Sequence, residues 1–401
     1  MSTSRLLNPS VFLELLETYC RISSATSDEP GLRAAQTFLA ELLHEIGFTT
    51  QWIAPASSEV LSSAPLLLGR RWLSDNAPTV VFVSHTDTLD GAGFHESRFA
   101  YDSEKKHLIG QGVLDDKASQ FVALRGIAQA LSEGTARQNF IFLASPSEEI
   151  GSPGFHEFYR QLSHEADLVL GFEPALEGQH LITRRRGNRW YSVAIEGREA
   201  HSGRAHRFGV NAAHELAYLV TGLDQLTSYE QDVTVNIGEI TTSSHLHNVV
   251  CGKAEAKIDT RFSSLSDRDR LHHSILKLFD QRHLRSEVDG KTCEIRWKID
   301  DDCPPLEESP SSGRWGACYA QEVSAIENRP IETRSSGGGA DVSHFYRPEL
   351  TIIDGLGACG ANMHRSDESV VIDSLWSRSL ALSRFLRHFS KLVPPYMTPE
   401  Q

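Results

Sequence analysis

The chain has no C-x-x-C pair. Its six cysteines, Cys20, Cys251, Cys293, Cys303, Cys318 and Cys359, are scattered through 401 residues. Thiols spaced in this way read as reduced cysteines of a cytoplasmic protein. Long apolar runs are missing too: none approaches the ~20 residues that a membrane span needs. The opening segment, MSTSRLLNPSVFLELL, has neither an uninterrupted apolar stretch nor a small-residue cleavage site, which argues against a signal peptide. Positive charge is in deficit, with a formal net charge of −14. That argues against nucleic-acid phosphate or an anionic membrane as the main partner. Acidic small substrates stay open, because the charge of a site can oppose that of the whole chain. There is no internal repeat and no low-complexity segment.

What is present suits a soluble globular protein, with 40% hydrophobic and 23% charged residues. The length exceeds what one ordinary core accommodates, so two domains are expected. Asn8-Pro9 reads as a helix N-cap with proline at the first helical position, and a second helix begins near Asp28 or Pro30 and stops at Gly47. The segments 49–54, 65–69, 80–83, 139–144 and 167–172 read as strands, with helical spacing after residues 119 and 155. Gly91 to His107 is polar and irregular, with a hairpin as its expected form. This alternation predicts an α/β domain built on a mostly parallel sheet. From Trp190 onward the order becomes βαββαβ, the pattern of a small α+β sandwich with an antiparallel sheet. The acidic, proline-rich stretch Ile299 to Ser312 is read as a linker. The expected organisation is a first domain from 1–187 plus 303–401, with a domain inserted at 188–302.

The chemistry-bearing residues gather at predicted strand ends, where open α/β sheets place their ligands. Val80 to Val83 run into Ser-His-Thr-Asp, which delivers His85 and Asp87. A carboxylate beside a histidine can fix one ring nitrogen and leave the other for a metal. Gly110-x-Gly112-x-x-Asp115 superficially matches a dinucleotide loop, but an acid stands where that loop needs a third small residue and would repel pyrophosphate. Glu148-Glu149 follows a strand directly; adjacent residues point in different directions, so one ligand and one general base is the natural division. Glu173 ends a further strand, and His364 lies in a late loop. Alone, each of these residues is equally explained as a cap or a solvated group. Together, His85, Asp115, Glu149, Glu173 and His364 offer two imidazoles and three carboxylates, a donor set that suits zinc and a two-metal site with a bridging carboxylate.

Eight motifs in order, SHTDTLDG, GQGVLDDKAS, SPSEEIGSPG, GFEPA, GREAHSGRAHRFGVNAA, NIGEI with HNVV and KIDTRF, SSGGGAD, and NMHRSDES, resemble the two-zinc exopeptidase and deacylase family of glutamate carboxypeptidase, acetylornithine deacetylase and succinyl-diaminopimelate desuccinylase. The resemblance covers nearly the whole chain and is closest to the glutamate carboxypeptidase branch. It implies two Zn2+ per subunit, with Co2+ or Mn2+ as alternative occupants. His85 and Glu173 would hold one ion and Glu149 and His364 the other, with Asp115 between them and a cis peptide to Asp116. It further implies that Asp87 orients His85, and that Glu148 deprotonates the attacking water and protonates the leaving amine. The inserted domain at 188–302 would have a lid and dimerisation role. From it His201 would stabilise the oxyanion across a homodimer, and Asn248 and Arg261 would contact substrate. The chain departs from the family at Ala118 and Ser119, where two glycines are usual. Arg365, beside His364, either adds positive charge to the site or faces solvent.

The resemblance points to a metallohydrolase cleaving an amide bond next to a free carboxylate. Its substrate would be a peptide that loses a C-terminal acidic residue, or, alternatively, an N-acyl amino acid. A metal-bound but non-catalytic binding protein and a nucleotide-dependent enzyme are the competing classes. Retention of Glu148 disfavours the first and Asp115 the second.

Overall fold

The computed structural model describes residues 4–56, 64–89, 99–104, 106–243 and 246–392. The chain divides into two compact units. The first comprises Met1–Arg184, Glu307–Ser336 and Ala340–Gln401, the second Arg185–Leu306 with Gly337–Gly339.

In the first unit, sequence signals set the helix ends. The Asn8 side chain accepts the amides of Ser10 and Val11 at 3.0 and 3.3 Å, starting the helix Pro9–Cys20. Asp28 caps Glu29–Glu45 through the Gly31 amide. That helix ends where Gly47 takes φ = 87°. The main sheet has six strands in the order Thr49–Ile53, Leu66–Arg71, Asn139–Ser145, Thr79–His85, Leu168–Gly171 and Thr351–Ile353. The last four are parallel and the first two antiparallel. Thr79–His85 and Asn139–Ser145 are buried along their whole lengths. Central strands covered on both faces lose polar alternation, which is why they read as continuous apolar runs.

The core of this unit joins Phe82 and Phe140 of the sheet to Leu39, Phe121, Leu382 and Phe385 of the surrounding helices. The helices Ala118–Ser132 and Ile372–Leu392 meet at Gly126, where a Cβ would lie 2.6 Å from Leu382 Cδ2. Gly126→Val should therefore destabilise the protein by roughly 1–3 kcal/mol through overpacking. Thermal denaturation at fixed metal concentration would show it as a lowered midpoint. A small antiparallel sheet contains the hairpin Ala100–Asp102 and His107–Ile109, the expected hairpin as far as it is described. Residues 91–98 of that expectation lie outside the described residues.

The second unit has the antiparallel strand order Thr234–Thr242, Lys253–Phe262, Gly187–Glu196 and Glu294–Cys303. The helices Ala212–Asp224 and Leu265–Phe279 supply Leu216, Leu219, Leu271 and Ile275, which pack on Tyr191, Val193, Ala256 and Ile258. Burial along Lys253–Phe262 alternates residue by residue, as one covered face and one solvated face require. The sheet's βαββαβ order is the expected one.

The expected linker at Ile299 to Ser312 is corrected. Residues 299–303 complete the strand Glu294–Cys303, because its acids find partners on the neighbouring strand. The Asn188 amide donates to Asp301 at 2.6 Å, and the Arg189 guanidinium grips Asp302 at 2.9 and 2.7 Å. Pro310 then opens the helix Pro310–Glu327, with Ser309 accepting the Ser312 amide. Composition suggested a loop because acid and proline are loop residues on average. Here the acids are paired and the proline occupies the first helical turn.

Candidate metal centre

Three strands of the main sheet end at one place. His85 closes Thr79–His85, Glu148–Ile150 forms a single turn after Asn139–Ser145, and Glu173 follows Leu168–Gly171. Asp115 arrives from the segment after His107–Ile109. Gly112 there takes φ = 65°, and a Cβ on it would collide with the Thr88 side chain, so only glycine fits. The Asp115–Asp116 peptide bond is cis. His364 comes from the loop joining Gly360–Ala361 to Ser369–Val371.

These side chains form two groups that share Asp115. In each, one ligand atom per residue lies within 4.8 Å of the others: His85, Asp115 and Glu173 in one, Asp115, Glu149 and His364 in the other. The two oxygens of Asp115 face in different directions. Oδ1 lies 2.9 Å from His85 Nε2 and Oδ2 lies 3.0 Å from His364 Nε2. His85 is 1% exposed, and its Nδ1 sits 2.9 Å from the Asp87 carbonyl oxygen, so that nitrogen carries the proton and Nε2 is left for a ligand. Glu148 belongs to neither group.

Asp87 does more than orient His85. Its carboxylate lies 3.4 Å from His85 Nδ1, while the shorter contact to that nitrogen is made by its carbonyl. The carboxylate accepts the Glu148 amide at 3.0 Å, the Glu149 amide at 3.2 Å and the Thr26 hydroxyl at 2.9 Å. It therefore fixes the turn that carries both glutamates.

The electrostatics fit a cation site. Burial and the neighbouring Glu173 push the Glu148 carboxyl well above its ordinary value. Burial and Asp115 raise Glu149 to about 8. Burial also raises Asp116 well above the carboxylate range. Asp115 is held below its usual value, because the hydrogen bonds and charges of His364 and His85 outweigh its burial. Burial opposes the charge on His85, yet the surrounding carboxylates hold it well above its ordinary value. So many acids packed together are expensive to ionise, and divalent charge between them would remove that cost.

Several supporting residues gave no signal beyond their place in a motif. The Gln120 side chain donates to the His85 carbonyl at 2.7 Å and accepts the Tyr19 hydroxyl at 2.6 Å, locking the end of the histidine strand. Ser119 stands where a family glycine was expected. Its hydroxyl accepts the Ala358 amide at 3.1 Å and lies 3.3 Å from the Leu114 carbonyl. Glu368, 2% exposed, accepts backbone amides from Gly112, Leu114 and Asp115. Partners some 250 residues apart in sequence leave no local pattern to read. Arg365 is exposed and bonds Asp367 at 3.0 Å.

His201, Asn248 and Arg261 all lie in the second unit. His201 and Asn248 are exposed and adjacent: the Ser202 amide donates to the Asn248 carbonyl at 2.9 Å. His201 Nδ1 accepts the Gly203 amide at 3.2 Å, which leaves the proton of the neutral ring on Nε2. Arg261, on Lys253–Phe262, bonds Asp259 through Nε at 3.0 Å. Its terminal nitrogens have no hydrogen-bond partner among the described residues.

Residues 183–287 match the peptidase dimerisation domain family. The chain is 26% identical over 368 residues to carboxypeptidase G2 of Pseudomonas sp. (strain RS-16), covering 90% of this chain and 84% of that protein. It is 25% identical over 386 residues to succinyl-diaminopimelate desuccinylase of Erythrobacter litoralis (strain HTCC2594), covering 91% and 96%. Among solved structures, a tripeptidase from Staphylococcus aureus superposes with a TM-score of 0.76 at 19% identity, covering 96% of this chain and all of that one. An M20 family metallo-carboxypeptidase from Sulfolobus solfataricus gives 0.76 at 14% identity, covering 95% and 99%.

Proposed function

Because the chain belongs to the M20 peptidase family, whose members here include metallopeptidases and amidohydrolases, we propose that it releases a C-terminal acidic amino acid from a peptide at a centre of two zinc ions. The coarser statement, a metallohydrolase acting on peptide or acyl-amino acid amide bonds, follows from the family itself. The observation that carries the finer reading is the pair of donor groups joined by Asp115. His85 and Glu173 are assigned to one ion, Glu149 and His364 to the other. Divalent ions bound there would supply an acidified water and a polarised carbonyl.

The chain's own residues do the rest. Glu148, outside both groups, takes the proton from the attacking water and returns it to the departing amine. Burial and Glu173 disfavour its charged form in the metal-free chain, and divalent charge beside it would favour the carboxylate that a base needs. Asp87 holds Glu148 and Glu149 by their amides, so that base and ligand keep their separate aims. On the second unit, His201 offers an Nε2–H donor to a developing oxyanion. Arg261 offers its two terminal nitrogens, unbonded among the described residues, to a carboxylate, the parallel arrangement that guanidinium favours. Asn248 is assigned to substrate beside His201. The match to a dimerisation domain supports a homodimer. Among the described residues no helix is long and apolar enough to cross a membrane. The scattered spacing of the six cysteines, with no C-x-x-C pair, is the sequence feature behind assigning the chain to the cytoplasm.

Arg261→Ala should raise KM for substrates with a free C-terminal carboxylate and change kcat little, because ground state and transition state both keep that carboxylate. Equal KM values for the acid and its amide-capped analogue in the parent chain would contradict the assignment. The reading as a whole is tested by amine release from peptides ending in Glu or Asp, peptides ending in neutral residues, and N-acyl amino acids in zinc-supplemented buffer. Preference for acidic C-termini supports the carboxypeptidase reading. Preference for N-acyl amino acids with a basic side chain would replace it with a deacylase.

A further inference from the structure

We propose that Glu368 is a positioning residue that sets the separation between Asp115 and His364, and so governs the second of the two donor groups more than the first. The assignment rests on the two-ion reading above. Glu368 lies four residues after His364, and its carboxylate is buried against the segment that carries Asp115. One oxygen accepts the Leu114 amide at 2.7 Å and the Asp115 amide at 3.0 Å, and the other accepts the Gly112 amide at 3.0 Å. The Glu368 carbonyl accepts a fourth amide from the same segment, Gly110, at 3.0 Å.

The two segments are thus joined side by side. Next to this clamp, Ser369–Val371 pairs antiparallel with His107–Ile109. On the far side, the Ser119 hydroxyl takes the Ala358 amide. Between these ties the loop bearing His364 is exposed, and it holds Asn362 and His364 at φ of 61° and 64°. The loop's own bonds, from Asn362 and Arg365 to Asp367, stay within it and do not reach the segment that carries Asp115. The Glu368 clamp at its base and the Ser119 tie across it register His364 against Asp115. The first donor group needs no such brace. His85 and Glu173 both follow adjacent parallel strands of the buried sheet, and Gln120 holds the His85 carbonyl.

Carboxylate geometry makes the clamp specific. Both oxygens accept, so a glutamine in place of Glu368 would turn an N–H2 group towards a backbone N–H, and the clamp would open on one side. A residue that acts through a ligand in this way typically changes metal affinity about 10–100-fold.

The test is calorimetric titration of zinc into the metal-stripped intact chain, its Glu368→Gln and Glu368→Asp variants, and Ser119→Ala. The expected result for Glu368→Gln is a first binding event weakened less than about tenfold and a second weakened about 10–100-fold. Turnover should fall at limiting zinc and recover at excess zinc, with KM unaltered. Glu368→Asp keeps both acceptors on a shorter arm and should fall between the parent and the glutamine variant. Ser119→Ala, which leaves the clamp in place, should weaken the same event. It thereby carries the test if Glu368→Gln fails to fold. Two events weakened equally, or neither changed, would overturn the positioning role. A single event in the parent chain would overturn the two-ion reading beneath it, a separate failure.

Discussion

Glu148→Gln should lower kcat about 10²–10⁴-fold, the range of a lost general acid–base group, while the chain stays folded and its metal content is unchanged. Glutamine keeps the shape of the side chain but cannot accept a proton. Because Glu148 belongs to neither donor group, its replacement removes no ligand. The backbone of the turn is held by Asp87 through amides that the substitution does not touch. KM should move little, because the proton transfer belongs to the transition state. Single-turnover kinetics with metal analysis of the same sample would read all of this at once. A variant within fivefold of the parent would remove Glu148 from the reaction. A variant that lost metal would make it a ligand instead.

Asp115→Ala should have the larger effect on the centre itself. Asp115 is the one residue shared by the two donor groups, and its oxygens face His85 on one side and His364 on the other. On the two-ion reading, removing it would take a ligand from both ions; it also leaves two histidines without their common acceptor. Turnover should fall to background, and metal bound after dialysis should drop below one equivalent per chain. Stability gives an independent readout. A ligand at 100 times its dissociation constant stabilises the folded state by about 2.7 kcal/mol. Zinc should therefore raise the melting temperature of the parent and leave that of Asp115→Ala unmoved. A variant still stabilised by zinc to the same extent would place the ions elsewhere.

Much of this arrangement was legible in the sequence, for reasons that differ by element. The buried strands Thr79–His85 and Asn139–Ser145 announced themselves as apolar runs ending in chemistry, because central parallel strands have no solvated face. The start of the second unit showed in period-two alternation from Trp190 to Glu196, where Tyr191, Val193 and Ile195 share the buried face. The five donors were readable because each follows a strand end or sits in a short motif. The supports behind them were not. Glu368, Ser119 and Gln120 act on backbone groups of distant segments, and a hydrogen bond to a backbone amide or carbonyl leaves no mark on the residue that carries it. The misread linker at Ile299 to Ser312 has the same origin: Arg189 and Asn188, which pair with its acids, lie more than a hundred residues earlier.

This chain is expected to hydrolyse an amide bond only when divalent ions sit between His85, Asp115, Glu149, Glu173 and His364. The most direct measurement strips the protein of metal, returns zinc in steps, and follows amine release and bound zinc together, with Glu148→Gln as the blank. The account predicts no release from the stripped chain, release that rises as the sites fill to two equivalents, and none above the blank in the variant. Full turnover by the stripped chain, or two equivalents bound with no release from any peptide or N-acyl amino acid, would contradict it.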